Sequence, residues 1–177
     1  MRRVSKGHDQ GQSLDVAEAA VAALGITDGP SYTQLRLADD GPRVIEVAAR
    51  LGGGHDAELA EAVTGVDLNG LAIDAALGAA HSVPSWHQPR VGGAVTRFLV
   101  APPGVLQSVD VPAGLEGVER VRIYREAGYV VGPLRRGPDR AGAVLAVGNS
   151  REQALERADA AAGAVVFRVA PEPVLAQ

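Results

Sequence analysis

Apolar and polar positions interleave with the short period of a strand in two adjacent runs, SYTQLRL (31–37) and RVIEVAA (43–49). Such alternation marks a half-buried strand. The ADDGP between them is a turn signal, because Gly and Pro break regular structure there. Together they predict a β-hairpin. Around it the apolar spacing lengthens to that of helices. Ser13 is a candidate N-cap for a helix to Leu24, with Asp15 and Glu18 in its first turns and Gly25 as its stop. A short helix is expected from Asp56 to Val63, ended by Gly65. Asp67 then caps LNGLAIDAAL, which stops at Gly78. Residues 1–12 have no such period and are expected to form a disordered tail.

Past residue 90 the pattern changes. AVTRFLV, VERVRIY, GYVVG and GAVLAVG are short β-like runs separated by Gly/Pro turns. Ser150 with Gln153 forms a capping box for a helix through Ala162, Gly163 stops it, and AVVFRV is a final strand. Residues 79–92, AAHSVPSWHQPRVG, have the composition of a linker. The fold class is therefore α+β: a tail over 1–12, a first domain over 13–90 and a small α+β domain over 91–177.

Composition narrows the chemistry. The chain has 177 residues, 46% of them hydrophobic, which suffices for a real core. It has no cysteine, so disulfides, thiolate nucleophiles and thiolate metal sites are excluded. No run approaches the ~20 apolar residues of a membrane span, and MRRVSKGHDQGQSL lacks the apolar core of a signal peptide. A soluble, cytoplasmic protein is expected. Residues 1–90 carry 7 basic against 12 acidic side chains, and residues 91–177 carry 10 against 9. Neither half has a nucleic-acid footprint. The single lysine, Lys6, lies in the tail.

The hairpin holds the candidate chemistry, in RVIEVAARLGGGH (43–55). If the turn is centred near Asp40, opposed residues sum to 80. Gln34 then faces Glu46, Arg36 faces Val44 and Tyr32 faces Ala48. One face carries Leu35, Leu37, Ile45 and Val47 and is expected to pack on the core. The other carries Tyr32, Gln34, Arg36, Glu46, Ala48 and, if the strand continues, Arg50. Cross-strand Cβ atoms lie about 4.5–5.5 Å apart, so Gln34 and Glu46 can reach one hard cation such as Mg²⁺. The plainer alternative is an ion pair of Glu46 with Arg36 on a solvated face, Arg50 as a surface residue and the glycines as a flexible loop. Elsewhere, His81 and His87 flank Trp86 without a third metal ligand nearby. Arg135, Arg136 and Arg140 in GPLRRGPDR make a basic turn, open to an anion or a partner or simply solvated.

GPSYTQLRL, GPRVIEVAARLGGG and TGVDLNGLAIDAALG resemble the C-terminal lobe of an ATP-grasp domain, the family of biotin carboxylase, carbamoyl phosphate synthetase, D-alanine–D-alanine ligase and the L-amino-acid ligases. There the paired strands hold Glu or Gln on the first and Glu-x-Asn on the second, binding the Mg²⁺ ions that bridge the ATP phosphates. The resemblance implies Gln34 and Glu46 as ligands of Mg²⁺ (or Mn²⁺) with ATP. It implies Arg50 as the catalytic, phosphate-facing residue, and Gly52, Gly53, Gly54 and His55 as the substrate side. Two departures stand out: Ala48 occupies the usual Asn position, and Gln34 lowers the negative charge of the site. Residues 93–169, with RFLVAPPGVL and GPLRRGPDRAGAVLAVGNSREQALERADAA, resemble the small C-terminal domain of L-amino-acid ligases.

The family's other lobe supplies a glycine-rich flap and phosphate-binding lysines, which have no counterpart here. The resemblance thus implies the C-terminal part of an ATP-dependent carboxylate–amine ligase acting through an acyl phosphate, incomplete alone. Its complement would be an N-terminal ATP-grasp partner chain, a homodimer or the rest of a longer chain. The alternative is a non-catalytic remnant serving as a binding module. Neither nucleic acid nor membrane is implied as a partner.

Overall fold

The computed structural model describes residues 10–79 and 89–171. Residues 1–9 of the expected tail, and most of the expected linker with His81, Trp86 and His87, lie outside these. The described residues fall into two compact units: 10–58 with 66–79, and 59–65 with 89–171.

The first unit opens with helix α1, Gln10–Ala23. It begins three residues before the expected Ser13 cap, so positions 10–12 are helical rather than tail. Packing accounts for the difference. Gly41, at the start of the second hairpin strand, lies so close to Gln12 that a Cβ on it would sit 3.3 Å from the Gln12 amide nitrogen. A helix that begins earlier gains that contact with the hairpin, and tertiary contact outweighs a weak local preference. Gly25 ends the helix as expected, its N–H donating to Ala22 O at 3.0 Å.

Strands β1 (Tyr32–Ala38) and β2 (Gly41–Ala48) form the hairpin. Their register departs from the simple sum rule. Ala38 pairs with Gly41 and Arg36 with Arg43, because the turn is the two-residue Asp39-Asp40. A bulge opposite Gln34 and Leu35 takes up one residue of β2, Ile45, and beyond it Gln34 faces Glu46 and Tyr32 faces Ala48. Arg36 therefore does not face Val44. Val44 instead stands across from Leu35, and Ile45 is the bulged residue.

The expected core face is also only partly covered. Of its four residues Leu35 and Val47 are half-buried, but Leu37 and Ile45 are 45% and 58% exposed; Val44, now across from Leu35, is 40% exposed. Helix α1 packs on the hairpin and leaves these three side chains exposed. Among the described residues both outer edges of this two-stranded sheet are unpaired. Helices α2 (Asp56–Thr64) and α3 (Leu68–Ala76) follow, the latter capped by Asp67, whose carboxylate accepts from Gly70 N–H at 2.9 Å. The division between the units runs through α2, between Glu58 and Leu59.

The second unit holds strands β3 (Gly93–Leu99), β4 (Gly104–Asp110), β5 (Val118–Ile123), β6 (Val130–Val131), β7 (Gly142–Gly148) and β8 (Val166–Ala170), with helix α4 (Arg151–Ala164) between the last two. They form two antiparallel three-stranded sheets, in the orders β3-β7-β5 and β6-β4-β8. Strand β4 escapes sequence reading because Pro102-Pro103 precedes it, and a bulge between Leu106 and Ser108 breaks its alternation. The core joins Leu99, Val144, Ala161 and Val165, with a second cluster at Ala101, Leu106, Val131 and Ala141. Ala154, Ala158 and Ala161 make a fully buried small-residue stripe along α4, which lets the helix approach the sheet closely.

Ser150 caps α4 as expected, accepting from Gln153 N–H at 3.2 Å. The return half of the expected capping box differs: Gln153 Oε1 accepts from Asn149 N–H at 2.7 Å, one residue before the cap. Gly163 lies within the helix, which runs one residue further. Among the described residues no helix is long and apolar enough to cross a membrane.

Candidate functional site

The candidate site lies in the first unit, where β2 leads into the glycine loop. Gln34 and Glu46 are cross-strand partners, as the sum rule requires at that position. Partners in a ladder project to the same face, so the amide oxygen of one and the carboxylate of the other share a surface. Glu46 does not pair with Arg36, the partner of the plainer reading. Its Oε1 instead accepts from Arg50 Nη2 at 3.4 Å, while Arg50 Nη1 donates to Leu51 O at 2.9 Å. Both side chains are about half exposed, 58% for Arg50 and 48% for Glu46. At that exposure the attraction is worth ~0–1 kcal/mol, so it orients the two groups without locking them. Arg50 thus lies back toward the end of β2.

The glycine loop is not uniformly flexible. A Cβ on Gly52 would lie 2.8 Å from the Tyr32 ring and closer still to the Asp56 carboxylate, so only glycine fits. Gly53 has open space around it. Gly54 and His55 both take the left-handed conformation, with φ of 70° each. This costs glycine nothing but costs histidine about 1 kcal/mol. His55 is anchored there, its Nδ1 lying 3.1 Å from Glu58 Oε1 with both side chains largely buried. Helix α2 starts at the next residue.

Tyr32 and Asp56 are neighbours of the site that sequence reading did not weigh as such. Tyr32 stands across from Ala48 and against Gly52, so its ring lies beside both. The register gave a signal for Tyr32, since it places that ring on the same face as Glu46. Nothing in the sequence marked Asp56, whose approach to Gly52 depends on the path of the loop.

The donor set suits a partial site for a hard cation. Among the described residues no three His, Asp or Glu side chains gather into a metal cluster. Mg²⁺ is commonly held by one or two protein oxygens, with phosphate and water completing six positions. One carboxylate and one amide on a shared strand face fit that pattern. They do not fit a site built wholly from protein ligands.

Residues 97–170 match the family described as L-amino acid ligase C-terminal domain 2. The uncharacterized protein y4rH of Sinorhizobium fredii (strain NBRC 101917 / NGR234) is 36% identical over 149 residues, covering 81% of this chain and 30% of that protein. Carnosine synthase 1 of Gallus gallus is 32% identical over 116 residues, covering 66% of this chain and 12% of the synthase. The crystal structure of L-amino acid ligase from Bacillus licheniformis superposes with a TM-score of 0.72 at 25% identity, over 93% of this chain and 42% of the ligase. The chain thus spans less than half the length of each of these relatives. Its fold is α+β, that of the C-terminal lobe of an ATP-grasp domain followed by a small α+β domain, and by these matches the chain is similar to the C-terminal portion of ATP-grasp ligases.

Proposed function

We propose that this chain is the C-terminal part of an ATP-dependent carboxylate–amine ligase that acts through an acyl phosphate. Gln34 and Glu46 give oxygen ligands to Mg²⁺ bound with ATP, and the ion, when bound, neutralises phosphate charge. Arg50 exchanges its weak partner Glu46 for a phosphoryl oxygen, a stronger acceptor for a guanidinium fork. Gly52, Gly53, Gly54 and His55 form the substrate side, where a backbone without side chains lets a small acid approach. The observation that carries this reading is the placement of Gln34, Glu46 and Arg50 on one strand end, with Arg50 already bonded to Glu46.

In this reading the functional boundary lies near residues 90/91, with the ATP-grasp part before it and the substrate-shaping domain after it. The protein works in the cytoplasm. It needs the remainder of an ATP-grasp domain, on a partner chain, a second copy or a longer form of itself, because one arginine and one metal cannot screen a triphosphate. Mn²⁺ titration of the ¹⁵N-labelled chain tests the site. Paramagnetic broadening should centre on Gln34 and Glu46 and weaken in Glu46→Ala. Broadening spread over unrelated carboxylates, or unchanged in that variant, would exclude the metal assignment.

A further inference from the structure

Six arginines lie between Val118 and Arg140, against three acids, in a chain whose net charge is −4. The second unit turns several of them toward one surface. In the β3-β7-β5 sheet, Phe98 pairs with Ala143 and Ala143 with Arg122. In the alternate row, Thr96 pairs with Leu145 and Leu145 with Arg120. The rows that alternate with them hold Leu99, Val144, Val121 and Ile123, which face the core, and Arg97, which pairs with Asp159 of α4 at 2.9 Å. By strand alternation Phe98, Arg120 and Arg122 therefore share the face turned away from α4. Arg120 and Arg122 are exposed, and Arg140 lays its guanidinium 3.6 Å over the Phe98 ring.

The turn that delivers Arg140 is fixed at several points. The Asp139 carboxylate accepts from the backbone N–H groups of Arg135 at 3.0 Å and Arg136 at 2.8 Å. Arg140 N–H donates to Gly137 O at 3.2 Å. Arg125, stacked on Tyr129 at 4.6 Å, donates to Pro138 O and staples the turn to the end of β5. The one acid within the turn thus accepts from its own backbone through Oδ2, and its Oδ1 lies 3.8 Å from the Arg136 guanidinium. Strand spacing puts Arg122 roughly 10 Å from Phe98, a gap that two arginine side chains span toward a common ligand. Stacking pre-pays the ordering of Arg140, which lowers the cost of binding.

We infer that Arg122 and Arg140, with Arg120 beside them, form an oxyanion site on the outer face of this sheet, for the phosphate or carboxylate groups of a small multiply charged ligand. The site is built wholly from residues of the second unit and does not depend on the function proposed above.

The test is a titration of the full ¹⁵N-labelled chain, without divalent metal and in the presence of EDTA, with pyrophosphate in one arm and tricarballylate in the other. Amide shifts are expected at Phe98, Arg122 and Arg140 at concentrations up to about 10 mM. Arg122→Gln and Arg140→Gln should each weaken binding about tenfold, a change typical of a charge-assisted hydrogen bond, with spectra otherwise unchanged. Arg122→Lys, which keeps the charge and loses the fork, should fall between. The shifts at Phe98, Arg122 and Arg140 should follow the parental titration curve in Arg50→Gln, whatever the hairpin amides do, which distinguishes this site from the hairpin. Response to pyrophosphate alone identifies a phosphate ligand, to tricarballylate alone a carboxylate ligand, and to both a general oxyanion site. Response to neither, shifts centred elsewhere, or parental affinity in both glutamine variants would overturn the inference.

Discussion

Gln34 stands directly across from Glu46 in the β1–β2 ladder, although every pair nearer the turn is displaced by one residue. The bulge that absorbs Ile45 restores the pairing just where the two oxygen donors meet. A one-residue slip would send Glu46 to the opposite face. The bulge therefore sets the geometry of the proposed cation site, and it yields a gain-of-function test. Ala48 lies two residues on from Glu46, on the same face, across from Tyr32. Ala48→Asn adds an amide oxygen there. Mn²⁺ affinity should rise by about tenfold, within the range by which single groups near a metal alter affinity. Electron paramagnetic resonance of free Mn²⁺ measures it directly, and equal or weaker binding in this variant contradicts the proposed ligand arrangement.

The glycine loop should respond unequally to alanine. At Gly52 a methyl group meets Tyr32 and Asp56, and overpacking of this kind costs about 1–3 kcal/mol. At Gly53 it meets open space, and the change should stay within about 0.5 kcal/mol. Urea unfolding followed by circular dichroism separates the two. Equal losses would mean that the loop is held differently from the contacts described.

In the second unit, Leu106 is 1% exposed and Ser150 caps α4. Leu106→Ala should cost about 2–5 kcal/mol through the cavity it leaves. Ser150→Ala should cost about 1 kcal/mol through one lost N-cap bond. Leu106→Ala should thus lower the melting temperature clearly more than Ser150→Ala, and the reverse order would place the core elsewhere.

The arginine turn carries a pH signature. Backbone N–H groups of Arg135 and then Arg136 hold the Asp139 carboxyl below the usual aspartate range. A group depressed in the folded state adds stability that is fully present above its unfolded pKa and is lost as pH falls through its folded value. That loss lies below about pH 4. Asp139→Asn should therefore remove part of the acid dependence of melting between about pH 4 and pH 2, while near-neutral behaviour keeps its shape. An acid limb identical to the parent's would show that the carboxylate is not held as described.

Local structure was legible because its causes are local. Asp67 and Ser150 cap their helices wherever the rest of the chain lies, since each bonds a backbone N–H three residues ahead. The hairpin was legible from its alternating runs and its turn, and so was the meeting of Gln34 with Glu46. Tertiary structure decided what depends on residues distant in the chain or on backbone detail. Contact with the hairpin starts α1 before Ser13. The bulge exchanges the places of Val44 and Ile45, because an extra residue can be taken up only where the twisted strands accommodate it. Arg50 folds back on Glu46 rather than leaving that carboxylate to Arg36. The placing of Phe98, with Arg140 over its ring, on one sheet face with Arg120 and Arg122 needs three strands in register and a turn pinned from β5. The sequence by itself marked only the basic turn of Arg135, Arg136 and Arg140, and strand order decided which sheet face lies beside it, because neighbours in a sheet come from distant parts of the chain.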